Sequence, residues 1–262
     1  MTLTKAEEYK LLHLLLDMGE MMMCSGGEVR RVENTLSLMG KAYGASETNV
    51  MVITASIIVT MKFADGNLIT ESRRVDNPGS NKLWRLEGLN ALSRKCCEKP
   101  LSMEELEKEI KNCKTPTNLW KFYLGSALAA GSFSVFFGGK FLDFIFASLF
   151  GLCVCLSQRK ISKFFPNNII FNIVTSFVIG IFISLSASGV NLIKENAVSS
   201  DMVIIGVIML LVPGIAFTNS VRDILVGDTI SGLMRLIESL LWAAGLAIGF
   251  MLAILLVGGI AI

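Results

Sequence analysis

The chain has 262 residues, of which 52% are hydrophobic and only 18% charged. Its mean hydropathy is +0.59, above what an ordinary soluble domain carries. A formal net charge of +2 provides no basic field for a nucleic-acid partner. The charges are unevenly spread: residues 1–117 hold 16 of the 24 Lys+Arg and 16 of the 22 Asp+Glu. The expectation is an α+β soluble domain over 1–116 and an all-α membrane bundle of about five transmembrane helices over 117–262, divided near Pro116.

The first apolar stretch, Leu11 to Met23, contains His13, Asp17 and Glu20, too polar for a signal-peptide core. The six cysteines have neither metal spacing nor a disulfide framework, and a reducing compartment is the simpler reading. His13 is alone and reads as a helix-face residue.

Three segments fit a capping box, in which a hydroxyl caps the helix and a carboxylate three residues on reaches back. They are Thr4–Glu7, Ser25–Glu28 and Ser102–Glu105. The first predicts a helix from Lys5 to Met23 with Leu11, Leu12, Leu15, Met18 and Met22 on its buried face. The second predicts a helix from Gly27 to Tyr43 whose buried stripe is Val29, Val32, Leu36 and Met39. Ser25-Gly26-Gly27 also offers amides to an anion at a helix N-terminus, although a tight turn with a cap explains the spacing better.

Asn49–Thr54 and Ser56–Phe63 are rich in Val, Ile and Thr and read as strands. Asp65-Gly66 is a hairpin signal, and Leu68–Ser72 returns as a third strand. Asn77-Pro78-Gly79 breaks the chain before a helix carrying Leu83, Leu86, Leu89 and Leu92. A short capped helix follows Ser102. Helices packed on one face of a small sheet satisfy this order. Residues 1–116 contain no nucleophile elbow, Walker loop or metal cluster, so no catalytic residue, metal or cofactor is assigned.

Five windows are long and apolar enough to span about 30 Å of hydrocarbon: 118–137, 141–156, 168–188, 202–217 and 231–254. Arg159, Lys160 and Lys163 after the second window, against single lysines at 140 and 194, place the N-terminal domain in the cytoplasm. An odd span count then puts the C-terminus outside. Gly125, Ala129, Gly131, Gly180, Ser184, Gly245 and Gly249 are small residues suited to close helix contact, and Gly245 to Gly249 has the small-x-x-x-small spacing. Whether the partner helix is internal or belongs to another chain stays open.

The segment Leu211 to Arg235 is the most informative. Pro213 and Gly214 interrupt a hydrophobic helix, which a membrane tolerates where protein or water satisfies the freed backbone. Arg222, Asp223, Asp228, Arg235 and Glu238 follow within 17 residues. Ionisable groups beside apolar spans are costly and commonly functional; the alternative is a polar loop with Arg235 and Glu238 snorkelling at its edge. A carboxylate here suits a coupling proton, an arginine suits a substrate carboxylate, and Thr218, Asn219 and Ser231 suit a polar side chain.

The chain resembles the threonine/serine exporter family. The resemblance rests on Ser25-Gly26-Gly27-Glu28 with Arg31, Val32, Glu33 and Thr35, on Arg73-Arg74-Val75, and on Leu211-Val212-Pro213-Gly214, Asn219, Arg222-Asp223, Gly227-Asp228 and Ser231-Gly232-Leu233. Gly27 stands where the family pattern has Ala. The resemblance implies an inner-membrane secondary transporter exporting threonine, serine or a dicarboxylate such as succinate. It implies a cytosolic N-terminal domain and a short membrane subunit that completes the exporter as a homo- or hetero-oligomer. It points to Ser25, Glu28, Arg31 and Glu33 as motif positions of that domain. The lack of an ATP-binding motif favours proton coupling over a primary pump. The competing readings are a membrane-anchored ligand sensor or scaffold and a hydrolase acting through the N-terminal domain.

Overall fold

The computed structural model describes residues 3–76, 82–113, 119–165 and 167–260. The expected breaks at Asn77-Pro78-Gly79 and Pro116, and the loop end at Pro166, lie outside the described residues. In chain order the elements are α1 (Lys5–Met23), α2 (Val29–Ala42), β1 (Glu47–Ile53), β2 (Ser56–Lys62), β3 (Leu68–Arg74), α3 (Leu83–Glu98), α4 (Met103–Asn112), α5 (Leu119–Phe136) and α6 (Phe141–Lys160). A 3-10 turn, Ser162–Phe164, precedes α7 (Asn168–Ile193), α8 (Ser200–Leu211), α9 (Gly214–Val226) and α10 (Thr229–Ile260). They form two compact units. One is Met1–Thr117 with Gly214–Ile237; the other is Asn118–Pro213 with Glu238–Ile262.

In the first unit β1, β2 and β3 form an antiparallel sheet in that order. Val52, Ile57, Val59, Met61 and Ile69 are buried, whereas Met51, Ile58 and Leu68 are exposed. The sheet is thus packed on one face, as strand alternation requires. The buried side meets α1, which also contacts α2, α3 and α4. Enclosed from several directions, α1 buries Leu14, Leu16, Met21 and Met23 as well as the expected stripe, so its apolar arc is wider than that of a one-sided surface helix.

Polar ties fix α1 to the sheet. Arg73 of β3 pairs with Asp17 and, at 3.2 Å, with Glu20. Asn67 Nδ2 donates to the buried Glu8 at 2.6 Å. Tyr43, fully buried, accepts from the Leu101 amide at 3.1 Å and so joins the end of α2 to the approach of α4. The capping boxes at Thr4 and Ser102 are formed.

The box expected at Ser25 is not formed. Ser25 Oγ donates instead to Met21 O at 2.6 Å. Glu28 occupies the N-cap of α2 without a side-chain cap bond. Gly26 has φ +88, and Gly26 N and Gly27 N return to Met23 O and Met22 O at 3.2 and 2.9 Å. These two bonds are a Schellman motif. Ser25 therefore ends α1 rather than starting α2.

In the second unit α5 packs on α6 and α8, α6 on α7 and α8, and α7 on α8. Gly245 and Gly249 of α10 face α7: a Cβ on Gly249 would lie 2.5 Å from Ile173 O and collide with Ser176 Oγ. The small-residue spacing thus serves an internal contact. Asp143, only 1% exposed, accepts from the amides of Lys140 and Ser199, each at 2.7 Å. It ties the start of α6 to the start of α8. Phe122, Phe136, Leu149, Phe182 and Leu255 are exposed, the outward face that a bilayer covers.

Helices α6, α7 and α10 are long and apolar enough to cross a membrane; α8 with α9 passes the same test as one broken span. Among the described residues the count is therefore three, or four with the broken pair, and the expected five are not all reached. Helix α5 is missing from it because Trp120, Lys121 and Tyr123 occupy the start of its 18 residues, leaving too short an apolar run. The odd count behind an outward C-terminus is not carried by this tally. Arg159 and Lys160 belong to the last turn of α6 rather than to a loop. Residues 218–230 are not a loop either: α9 runs to Val226 and α10 starts at Thr229.

Candidate functional site

The first unit brings the turn between α1 and α2 together with the hairpin of α9 and α10. The Schellman stop leaves the Gly26 and Gly27 carbonyls outside both helices. Asn219 Nδ2 of α9 donates to Gly26 O at 3.2 Å, and Arg235 Nη2 of α10 donates to Gly27 O at 3.0 Å. Glu28, not used by its own helix, pairs with Arg222 at 2.6 Å. A Cβ on Gly27 would approach Met22 O to 2.8 Å, so the turn leaves little room for a side chain there.

The hairpin is held from within. Gly227 has φ +104. Gly227 N bonds Ile224 O at 3.1 Å and Asp228 N bonds Asp223 O at 2.9 Å, a second Schellman stop. Gly232 allows the two helices to touch, for a Cβ there would lie 2.8 Å from both Ile224 N and Ser220 O. Arg235 Nη1 donates to Asp223 Oδ2 at 3.2 Å; the two side chains are 10% and 3% exposed. Such a pair is tolerated when further bonds satisfy the ions. Gly27 O and, at 3.6 Å, Met23 Sδ supply them to Arg235.

A third contact involves the end of β1. Glu33 Oε1 of α2 accepts from the Val52 amide at 2.9 Å. Thr54, buried just past β1, donates its hydroxyl to Ser231 O at 3.3 Å. Asp228 Oδ2 is shielded from solvent and has no hydrogen-bond partner among the described residues. Burial pushes the Glu33 carboxyl above its ordinary range, and the Asp228 charge adds to this. The Val52 amide and Arg30 oppose both.

Ser25, Glu28, Glu33, Asn219, Arg222, Asp223, Asp228, Ser231 and Arg235 are thus gathered in one unit, with 193 positions separating Gly26 from Asn219 and 194 separating Glu28 from Arg222. Ser25 contributes through the backbone turn it closes, and Ser231 through its carbonyl. Thr218 is exposed and bonds back to Gly214 O at 2.9 Å. Arg31 is exposed on α2 with no ion pair among the described residues. Pro213 and Glu238 fall in the second unit, directly beyond the two ends of the hairpin segment, while Gly214 begins it. Sequence reading overlooked the carbonyls of Gly26 and Gly27, which no side-chain pattern signals. It also overlooked Thr54, whose one clue is a lone hydroxyl between Ile53 and Ala55.

The arrangement holds one exposed arginine beside a carboxylate, one buried ion pair and two further carboxylates without an ion pair among the described residues. Such groups bind and exchange charged solutes and protons. A family model described as "Putative threonine/serine exporter" (ThrE) matches residues 13–257. No curated protein and no solved structure matches the chain.

Proposed function

Since this chain belongs to the threonine/serine exporter family and is an integral membrane protein with three or four candidate spans, we propose that it is a secondary transporter subunit exporting small carboxylate-bearing solutes, threonine and serine first and succinate as a dicarboxylate alternative, driven by the proton gradient. A short membrane subunit completes it. The observation that carries this reading is the pairing of the 214–237 hairpin with the turn at residues 25–28. It collects polar and ionic groups from both into one place.

Arg222 is the group suited to a substrate carboxylate. Its side chain is 63% exposed and one nitrogen bonds Glu28, which leaves other donors of the planar fork for a second carboxylate. Asn219 and Ser231 lie on the same hairpin and suit the polar end of a hydroxy amino acid. The bias of basic residues supports a cytoplasmic N-terminal unit, from which cytosolic solute reaches Arg222.

Efflux from preloaded proteoliposomes under an imposed pH gradient tests the proposal, using threonine, serine and succinate, with and without the short subunit. The expected result is gradient-dependent efflux of one solute class, lost in Arg222→Ala. Absence of efflux for all three solutes with the subunit present would overturn it and favour ligand sensing by the N-terminal unit.

A further inference from the structure

Arg222 and Glu28 meet through a single bond, Nη1 to Oε1 at 2.6 Å. Glu28 makes no cap bond to its own helix, so Oε2 keeps its capacity to accept. Arg222 likewise keeps Nε and Nη2, an edge of the guanidinium whose spacing matches a carboxylate. Asn219 lies one turn before Arg222 on the same face of α9. Its Nδ2 donates to Gly26 O at 3.2 Å, which leaves Oδ1 to accept. One patch therefore presents a donor fork and two acceptors side by side. The cation is open to water at 63% exposure, and the Glu28 side chain is held largely out of it at 19%.

Arg222 alone accounts for a carboxylate, but it does not distinguish one carboxylate from another. Glu28 does. The pair is neutral overall, and a ligand with one ammonium and one carboxylate on adjoining atoms keeps it so. With its carboxylate on the free edge of Arg222 and its ammonium on Glu28 Oε2, the four charges alternate around a ring. A monocarboxylate without an amine leaves Glu28 Oε2 unanswered. A dicarboxylate brings two anions to Glu28 with Arg222 as the one cation against them, and this like-charge contact opposes binding. Exposed ion pairs are held by little net free energy, so the Glu28–Arg222 contact can adjust to the ligand at small cost.

We propose that Glu28 is a specificity-determining residue: it takes the ammonium of an α-amino acid whose carboxylate Arg222 holds, and it turns dicarboxylates away. Glu28 thereby chooses between the two solute classes named above, in favour of serine and threonine over succinate. Asn219 Oδ1 accepts from the side-chain hydroxyl. The part of Glu28 in export rests on the transport reading above; the clamp for a zwitterion does not.

The test is calorimetric titration of the purified full-length protein in lipid nanodiscs. The probes are L-serine, 3-hydroxypropionate (serine without its amine), ethanolamine (serine without its carboxylate) and succinate. Wild type is compared with Glu28→Gln, Glu28→Asp and Arg222→Gln, and efflux of serine and succinate with the short subunit present is measured on the same proteins. Wild type is expected to bind serine about ten- to a hundredfold more tightly than 3-hydroxypropionate, the range for a hydrogen bond to a charged group, and succinate no better than 3-hydroxypropionate. Glu28→Gln should bring serine and 3-hydroxypropionate together and strengthen succinate. Glu28→Asp should restore the wild-type order, and Arg222→Gln should reduce serine to the level of ethanolamine. A destabilised protein weakens all four probes together, so the ratio between probes reads the role of Glu28. A wild type that binds serine no better than 3-hydroxypropionate, or that binds none of the four, overturns the proposal, as does a serine preference unchanged in Glu28→Gln. The expected binding pattern in a protein that exports neither solute overturns the transport reading instead. Serine efflux whose preference over succinate is unchanged in Glu28→Gln overturns the part of Glu28 in export and leaves the transport reading standing.

Discussion

At the scale of single residues, two ion pairs in the docked hairpin have different physical weight. Arg235 and Asp223 are buried, so removing one partner strands the other. Arg235→Leu or Asp223→Asn is expected to destabilise the first unit by about 3–5 kcal/mol, and replacing both by apolar residues to cost far less. Denaturant unfolding of the three variants checks this. Glu33 makes a different prediction. Its native carboxyl keeps a proton above the ordinary 4.5, so between that value and the native one the folded state binds more protons than the unfolded. Stability from this group is complete below 4.5 and declines as pH rises through the native value. Glu33→Gln should flatten that decline in melting temperature against pH. Arg73 shows the opposite situation: half-hidden between Asp17 and Glu20, it is held in its charged form and supports structure.

At the scale of elements, glycine stops decide where the helices end. Ser-x-x-Glu spacing at Ser25 is the same in a capping box and in a helix stop followed directly by a new start. The hydroxyl alone cannot distinguish them. Gly26 and Gly27 between the two do, because a positive φ closes α1 before α2 can begin. That is why α1 was legible to its last residue while the start of α2 moved from Gly27 to Val29. Hydrophobic spacing likewise marked the strands and the stripe of α2, since each has one buried face. It could not reveal that α1 is covered from several directions, which depends on partners distant in sequence. Gly232 gives the element-scale prediction. Gly232→Ala forces a methyl against the α9 backbone and Ile224, and overpacking of this kind costs about 1–3 kcal/mol. A lower unfolding midpoint, with a matching loss of efflux, is the expected outcome; Gly214→Ala, where a Cβ meets nothing within 4 Å, is the comparison.

At the scale of the whole molecule, charge distribution suggested two consecutive domains, and it could not reveal that the chain returns to its first unit. Residues 214–237 mix charged groups with apolar side chains such as Ile215, Phe217, Val221 and Leu225, and the apolar windows 202–217 and 231–254 assign both ends of the segment to membrane helices. What draws them to the N-terminal residues is a set of hydrogen bonds to two carbonyls, invisible in any periodicity. The motif residues were therefore legible one by one, and their mutual contacts were not. A polypeptide of residues 1–117 should accordingly be less stable than the same residues linked flexibly to 214–237. Matching melting temperatures for the two would contradict the role given to the hairpin.

The composition of that first unit has a consequence for how the protein is born. Its two pieces are separated in the gene by the stretch Asn118–Pro213. The ribosome must deliver that stretch to the translocation machinery before the hairpin exists. At about 5–20 residues per second, the nascent N-terminal segment waits on the order of ten seconds with Glu28, Gly26 and Gly27 still lacking their partners. Chaperone dependence during synthesis follows from this order of events.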